Sequence, residues 1–117
     1  MIQREIAQLY SGGKFAEIED HMSDTIEWYV YEDNKTYSGK ESVIAFANSV
    51  SEYFRSVTTK FETFGILEED NKIAIYGRGE FIRGAKTVNV VHSCDVYEFN
   101  AHGKIEKVYS YCNSNRP

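Results

Sequence analysis

The sequence predicts an α+β domain in which three helices cover the concave face of a strongly curved antiparallel sheet. Two patterns predict this class: apolar residues recur at helical spacing in the first half of the chain, and β-branched and aromatic residues fill long runs in the second half. The turns between those runs are short enough only for antiparallel hairpins. Helices at one end of the chain and strands at the other form two layers. A curved sheet closed by helices makes a cone that contains a cavity.

The three helices are predicted at residues 2–10, 14–22 and 38–55. In the first, Ile6 and Tyr10 fall on one face, and the run Ser11-Gly12-Gly13 ends it. Ser38 is predicted to be the N-cap of the third helix, because Glu41 three residues later completes a capping box. Apolar residues then continue at helical spacing to the end of that segment.

Five strands are predicted, one between the second and third helices and four in succession after the third. They span residues 25–31, 57–68, 72–83, 86–99 and 104–112, with a loop at 32–35. The last two form a hairpin around the turn Asn100-Ala101-His102-Gly103. Each of these runs combines branched and aromatic side chains with polar neighbours, as expected of a strand with one face in the core.

Composition indicates one globular domain, residues 1–117, with 42% hydrophobic and 26% charged residues. The formal net charge of -5 argues against nucleic acid or an anionic membrane as the main partner, because both require a basic face. The sequence contains no long apolar run and no charged leader, so a cytoplasmic location is expected. Cys94 and Cys112 are interpreted as small buried hydrophobes, with a reactive thiol or a bridge as the alternatives.

Asp95 is the most informative residue, because it stands in a run that otherwise reads as an apolar strand. Aspartate is depleted in strands, and a carboxylate that faces a core must be paired, protonated or open to a cavity. Aromatic residues make up 15% of the chain, and such rings line ligand pockets and subunit interfaces. Asp95 therefore marks a candidate pocket. No metal or cofactor motif is found, since Glu68-Glu69-Asp70 reads as a solvated turn.

Four motifs carry a resemblance to a known superfamily. They are Tyr10-Ser11-Gly12-Gly13-Lys14-Phe15, Ser23-Asp24-Thr25-Ile26-Glu27-Trp28, Tyr37-Ser38-Gly39-Lys40-Glu41, and Asp95-Val96-Tyr97-Glu98-Phe99 with Gly103-Lys104-Ile105. Their order resembles the nuclear transport factor 2-like superfamily, in its SnoaL-like and ketosteroid isomerase-like branch. That resemblance implies a cone-shaped, cystatin-like fold, which hosts isomerases, cyclases, dehydratases and proteins without chemistry.

The resemblance also assigns positions within the site. Asp95 falls where ketosteroid isomerases keep a protonated aspartate that donates to the substrate oxyanion. Val30 takes the position of the general-base aspartate, and Ile6 takes that of the oxyanion tyrosine. Two of three catalytic groups are therefore missing, and the steroid isomerase reaction is not expected.

Strand alternation and the same resemblance predict which side chains face the cavity. The predicted ligand-binding residues are Trp28, Val30, Phe54, Tyr76, Ser93, Tyr97 and Cys112. Asp95 is the candidate general acid or base, with its pKa raised by burial. Tyr76, Arg78 and Glu80 share one face of their strand, and the opposite face reads equally well as packing surface. If their face is inward, Arg78 is a candidate partner for Asp95 or Glu80. His21 is a weaker candidate at the cavity mouth. The alternative is a buried Asp95 that only accepts hydrogen bonds from a tyrosine or the backbone.

The outer face of the sheet is predicted to carry an aromatic stripe of Tyr29, Tyr31, Tyr109 and Tyr111. Such a stripe is too apolar to leave in water, so a homodimer through this face is expected.

Two functions remain open. The favoured one is a domain that binds a small apolar or aromatic molecule without a cofactor; the alternative is a cofactor-independent isomerase or lyase in which Asp95 moves a proton. Whether any reaction is catalysed stays undecided at this point.

Overall fold

The computed structural model describes residues 1–115 of the 117-residue chain. It is an α+β fold with two α-helices and a curved six-stranded sheet. The elements are α1 (Gln3–Ser11), β1 (Met22–Val30), β2 (Lys35–Ser38), α2 (Lys40–Arg55), β3 (Thr58–Glu69), β4 (Lys72–Arg83), β5 (Lys86–Phe99) and β6 (Ile105–Asn115). Within the described residues, no helix is long and apolar enough to cross a membrane.

The strand order is β2-β1-β6-β5-β4-β3. The meander β3 to β6 is antiparallel throughout, as predicted from its short turns. The prediction of a purely antiparallel sheet is wrong, however, because β1 pairs with β6 in parallel. A parallel pair needs a long connection, and α2 with the whole meander supplies one. The sheet is therefore mixed.

The predicted helix at 14–22 is also wrong. This segment forms two 3₁₀ turns, Phe15–Glu17 and Glu19–His21, after Gly13 turns the chain with φ 78°. Met22 already pairs with Ile105 at the start of β1, so the segment is too short for a stable α-helix. The turns still cover the sheet's inner face, since Ile18 is fully buried.

The predicted loop at 32–35 and the cap of α2 need a further correction. The chain forms a 3₁₀ turn at Tyr31–Asp33 and then the short strand β2, in which Ser38 pairs with Glu27. The N-cap of α2 is Gly39, at φ 87° and ψ 149°, and no side chain caps the helix. Ser38 cannot be the cap because it is the last residue of a strand, and only glycine readily adopts the backbone conformation that follows.

The core lies between the helices and the inner face of the sheet. Ile6 and Tyr10 of α1 are one helical turn apart, as are Val43 and Ala47 of α2, and all four are buried. On the strand side the largest fully buried side chains include Tyr97, Phe99, Ile105 and Val108. The helices close one face of the sheet and leave the other uncovered.

Candidate ligand-binding site

A cavity of about 750 Å³ lies between the inner face of the sheet and the two helices. Its size is within the range of small-molecule sites in proteins. On β5 the inner face carries Asp95 and Ser93, which pair with Ile75 and Gly77 of β4. Gly79 follows Gly77 on the same face, so two successive inward positions of β4 lack a side chain. Glycine at these positions lets β3 approach closely, because the Glu62 backbone lies against Gly77 and the Phe61 ring lies against Gly79.

Asp95 stands at the centre of a hydrogen-bonded network. The Ser11 hydroxyl donates to Asp95 Oδ2 at 2.9 Å, and the Tyr97 hydroxyl lies 2.5 Å from Ser11 Oγ. Because serine has one hydroxyl hydrogen and gives it to Asp95, Tyr97 is the donor to Ser11. Ser110 pairs with Asp95 across the ladder, and its Oγ accepts from Trp28 Nε1 at 2.9 Å. The carboxyl is thus oriented by α1 and β6 together.

Burial raises the pKa of Asp95 above its ordinary value, and hydrogen bonds from Ser110, Ser11 and Tyr97 offset part of that increase. Asp95 keeps some accessible surface, and Asp95 also lines the cavity. The protein encloses it on its other sides, which removes the bulk water that would stabilise the charge. The site therefore favours a neutral carboxyl at a higher pH than a free aspartate would allow.

Tyr10 is a second polar group at this end of the cavity. Its ring makes edge contacts with Phe15, Trp28 and Tyr97, at centroid distances of 5.1, 5.0 and 5.3 Å. Burial and then the charge of Asp95 raise the pKa of Tyr10, so the two groups act on each other. Among the described residues, nothing hydrogen bonds to the buried Tyr10 hydroxyl. A buried hydroxyl without a partner is costly, and Tyr10 is one of the residues that line the cavity.

Tyr10 and Ser11 are site residues that the sequence patterns do not reveal. Helical spacing from Ile6 predicts that Tyr10 points inward, but only the folded structure shows that its hydroxyl is unpartnered. Ser11 was interpreted only as part of the helix end. Its hydroxyl meets Asp95 across 84 positions of sequence. No local pattern carries such a contact.

Most of the predicted site residues border the cavity: Trp28, Val30, Phe54, Tyr76, Arg78, Ser93, Asp95 and Cys112. Tyr97 is fully buried beneath it and reaches Asp95 through Ser11. His21 ends the second 3₁₀ turn and is not among the lining residues.

Arg78 and Asp95 leave the sheet on opposite faces. Arg78 pairs with His92 on β5, three positions before Asp95, and alternation sends odd and even positions to different sides. Tyr76 shares the outer face with Arg78 and is 40% exposed. Both residues border the cavity from the part of β4 where the inward positions are Gly77 and Gly79. The strand register does not bring Arg78 to the Asp95 carboxyl.

The two cysteines are free thiols. Burial and the charge of Asp95 raise the pKa of Cys112 to about 12. A thiol with that pKa is protonated at neutral pH and is a poor nucleophile. Cys112 therefore contributes apolar surface to the cavity. Among residues 1–115, no group of three or more His, Cys, Asp or Glu side chains is arranged to hold a metal ion.

The outer face of the sheet carries the four tyrosines as a stacked row. Tyr29 and Tyr109 are 5.0 Å apart at 6° between ring planes, and Tyr31 and Tyr111 are 4.9 Å apart at 29°. Tyr31 and Tyr111 are about half exposed. The row crosses β1 and β6 where these strands pair in parallel.

The fold and the site together define a small α+β cone with one enclosed polar cluster in an aromatic cavity. No family model and no curated protein matches the chain. Solved structures do match. A nuclear transport factor 2-like protein of unknown function from Cytophaga hutchinsonii is 28% identical with a TM-score of 0.81, and the match covers 94% of this chain and 95% of that one.

Two further structures share the fold at lower identity. A protein provisionally named a SnoaL-like polyketide cyclase, from Shewanella denitrificans, is 11% identical with a TM-score of 0.73, over 95% of this chain and 90% of that one. A protein provisionally named an isomerase of the SnoaL-like family, from Agrobacterium tumefaciens, is 16% identical with a TM-score of 0.70, over 95% and 97%. The chain belongs to the nuclear transport factor 2-like superfamily, and SnoaL-like proteins are among its structural neighbours.

Proposed function

We propose that the chain binds a small apolar or aromatic molecule in the 750 Å³ cavity, and that Asp95 and Tyr10 hold a polar atom of that molecule. The observation that carries the proposal is the unpartnered Tyr10 hydroxyl, buried beside a carboxyl whose pKa is raised. A tyrosine hydroxyl and a neutral carboxyl are both donors, so a carbonyl oxygen satisfies both. Trp28, Phe15 and Phe46 supply the aromatic surface around it.

A matched pair of probes tests this binding. We expect 2-acetylnaphthalene, a ketone, to raise the melting temperature of the wild type more than 2-isopropenylnaphthalene, in which a methylene group replaces the carbonyl oxygen. Asp95→Asn and Tyr10→Phe should reduce the difference between the two probes. Ser93→Leu should reduce the binding of both, because it fills the cavity. If neither probe shifts the wild type and titration calorimetry shows no binding, the proposal fails.

A second function is favoured by the same raised pKa. A carboxyl whose pKa is raised holds its proton to a higher pH and can donate it to a carbonyl oxygen, which is the step that a cofactor-independent isomerase or lyase requires. Two structural neighbours are provisionally named a cyclase and an isomerase. Val30 lies at the base position implied by the resemblance and lines the cavity, so a general base has to come from elsewhere.

Proton exchange tests this step without a known substrate. The methyl protons of 2-acetylnaphthalene exchange with D₂O through the enol, and proton NMR follows their loss. A catalyst should accelerate the exchange in the wild type, whereas Asp95→Asn should bind the ketone and leave the exchange at the buffer rate. Equal rates for wild type and buffer would exclude catalysis of this step and leave the binding function standing.

We also propose that two copies associate through the outer tyrosine row. Tyr31 and Tyr111 expose apolar ring surface on a sheet face that no helix covers. Face-to-face packing of two such rows is a symmetric contact, because each copy offers the same surface. Analytical ultracentrifugation at micromolar concentration should give a dimer mass, and the double variant Tyr31→Ser with Tyr111→Ser should give a monomer. A monomeric wild type would contradict this assembly.

A further inference from the structure

Asn89 is a buried polar residue with an unfilled hydrogen bond at the far end of the cavity. Its side chain is 8% exposed, and it lines the cavity. Among the side chains that the structure describes, those of residues 1–114, none donates a hydrogen bond to its Oδ1. Such orphaned acceptors are rare in folded proteins, because the lost hydration is not replaced. A buried acceptor on a residue that lines a cavity is explained by a donor that arrives with a ligand.

The position of Asn89 defines a second end to the site. Asn89 and Asp95 share the inner face of β5, six residues apart, which is ~20 Å of extended strand. On β4 between them lie Gly77 and Gly79, and this stretch of the cavity is lined from β5 by Val91 and Ser93 and from β3 by Phe61. The cavity is therefore a trough with a polar group at each end.

The walls around Asn89 are aromatic. Phe81 pairs with Asn89 across the ladder, and its ring centroid lies 5.6 Å from that of Phe54 and 6.0 Å from that of Phe61. A flat ring fits between such walls, with offset or edge contacts. The amide oxygen then meets whatever group projects from the end of that ring.

We infer that the ligand is an elongated aromatic or alicyclic molecule that carries a hydroxyl at the end opposite its carbonyl, and that Asn89 Oδ1 accepts this hydroxyl. The inference rests on the proposed binding function and names its ligand class. A hydroxyl is neutral and is a donor, as the orphaned oxygen requires. An ammonium is a poorer fit, because a single amide oxygen does not compensate a buried charge. Asn89 thus determines specificity at the distal end, whereas Asp95 and Tyr10 read the carbonyl.

Three fragments test the distal end alone: phenol, anisole and toluene, titrated into ¹⁵N-labelled protein by NMR. We expect phenol to bind about three- to tenfold more tightly than anisole, because only phenol donates a hydrogen bond. Phenol should also shift the side-chain amide signals of Asn89. In Asn89→Leu the preference should vanish while toluene still binds. Asn113→Leu, at an exposed position of β6, is the matched control and should keep the preference.

Stability provides a second readout. Asn89→Leu replaces an orphaned acceptor with an apolar side chain, so its melting temperature without ligand should equal or exceed that of the wild type. Asn89→Ala serves the same purpose if leucine does not fit. Loss of stability in both variants would show that the Asn89 side chain has a hydrogen-bond partner within the fold. A preference for phenol that persists in both variants would place the hydroxyl elsewhere. Either result overturns the inference. Fragments that bind without any phenol preference overturn it alone, whereas no binding of any fragment overturns the proposed function as well.

Discussion

The two faces of the β5–β6 hairpin carry opposite chemistry on the same two strands. On the inner face, Asp95 pairs with Ser110 inside an enclosed network. At the next position of the ladder, Val96 pairs with Tyr109, and Tyr109 stacks on Tyr29 at the outer surface. Alternation alone separates these pairs. A buried polar group and an exposed aromatic row are therefore built by adjacent residues.

The difference between the faces is the availability of water. On the inner face, hydrogen bonds are made by protein groups because bulk water is excluded, so the loss of one leaves a group unsatisfied. On the outer face, water replaces a lost contact. Lys107 and Glu27 illustrate this, since their charged ends are 4.0 Å apart and over a third exposed, and such pairs contribute little to stability. Substitutions that remove side chains of similar size should therefore lower the free energy of unfolding more on the inner face than on the outer face.

The largest expected contrast is between two aromatic truncations. Phe99→Ala, at a position that is 1% exposed, should lower the free energy of unfolding by about 3–5 kcal/mol. Tyr111→Ala, at a position that is 50% exposed, should change the free energy of unfolding by no more than about 0.5 kcal/mol in the monomer. Urea denaturation at low protein concentration measures both. Equal losses would mean that the outer row is part of the folding core.

The pH dependence of stability should report the inner face. The folded protein holds the Asp95 proton more tightly than the unfolded chain does, because burial raises its pKa. Its contribution is therefore complete below the unfolded pKa, about 3.9, and is lost as pH rises through the raised folded pKa, at up to ~1.4 kcal/mol per pH unit. The difference between wild type and Asp95→Asn, measured by urea denaturation from acid to neutral pH, should show this slope.

An opposite slope is expected from a surface carboxylate. Hydrogen bonds, first of all from Thr25, lower the pKa of Glu106. Its contribution should be present above its unfolded pKa and be lost as pH falls through the lowered folded value. Glu106→Gln is thus a control of opposite sign. If Asp95→Asn and Glu106→Gln gave slopes of the same sign, the raised pKa of Asp95 would be refuted.

Sequence patterns predicted the meander because each strand and turn is encoded locally. The alternation of side chains around Asp95 likewise places it on the inner face of its strand, and only a few neighbouring residues are needed for that prediction. The parallel pairing of β1 with β6 is not predicted, since it joins segments 80 or more residues apart, such as Trp28 with Val108. The prediction of a second helix was wrong because the spacing of apolar residues in 14–22 fits a helix as well as it fits two 3₁₀ turns.

The polar cluster was the least predictable part of the site. Ser11 and Tyr10 take their roles from the position of α1 over β5, which no local pattern specifies. Asn89 was not noticed for a similar reason: its significance lies in a hydrogen bond that is absent among the described residues. Sequence therefore indicated the carboxyl and part of the cavity lining, such as Trp28 and Ser93, but not the hydroxyl groups of Ser11 and Tyr10.

A smaller effect is expected at the link between Ser11 and Asp95. Ser11→Ala removes the donor to Asp95 and the acceptor of Tyr97, both within the enclosed face. We expect a loss of about 1–2 kcal/mol in the free energy of unfolding. The pKa of Asp95 should rise further, because a hydrogen bond to its charged form is lost. Side-chain carboxyl NMR titration measures the second effect, and an unchanged or lower pKa would show that Ser11 does not donate to Asp95.

The smallest effect separates two tyrosines within the inner face itself. Tyr97→Phe breaks a hydrogen bond to Ser11 and should lower the free energy of unfolding by about 1 kcal/mol. Tyr10→Phe removes a hydroxyl that has no partner among residues 1–115, so the free energy should stay within about 0.5 kcal/mol of wild type or increase. Denaturation of the two variants side by side gives the comparison. A stable Tyr10→Phe that binds 2-acetylnaphthalene weakly would assign the Tyr10 hydroxyl to the ligand, whereas a loss equal to that of Tyr97→Phe would assign it to the fold.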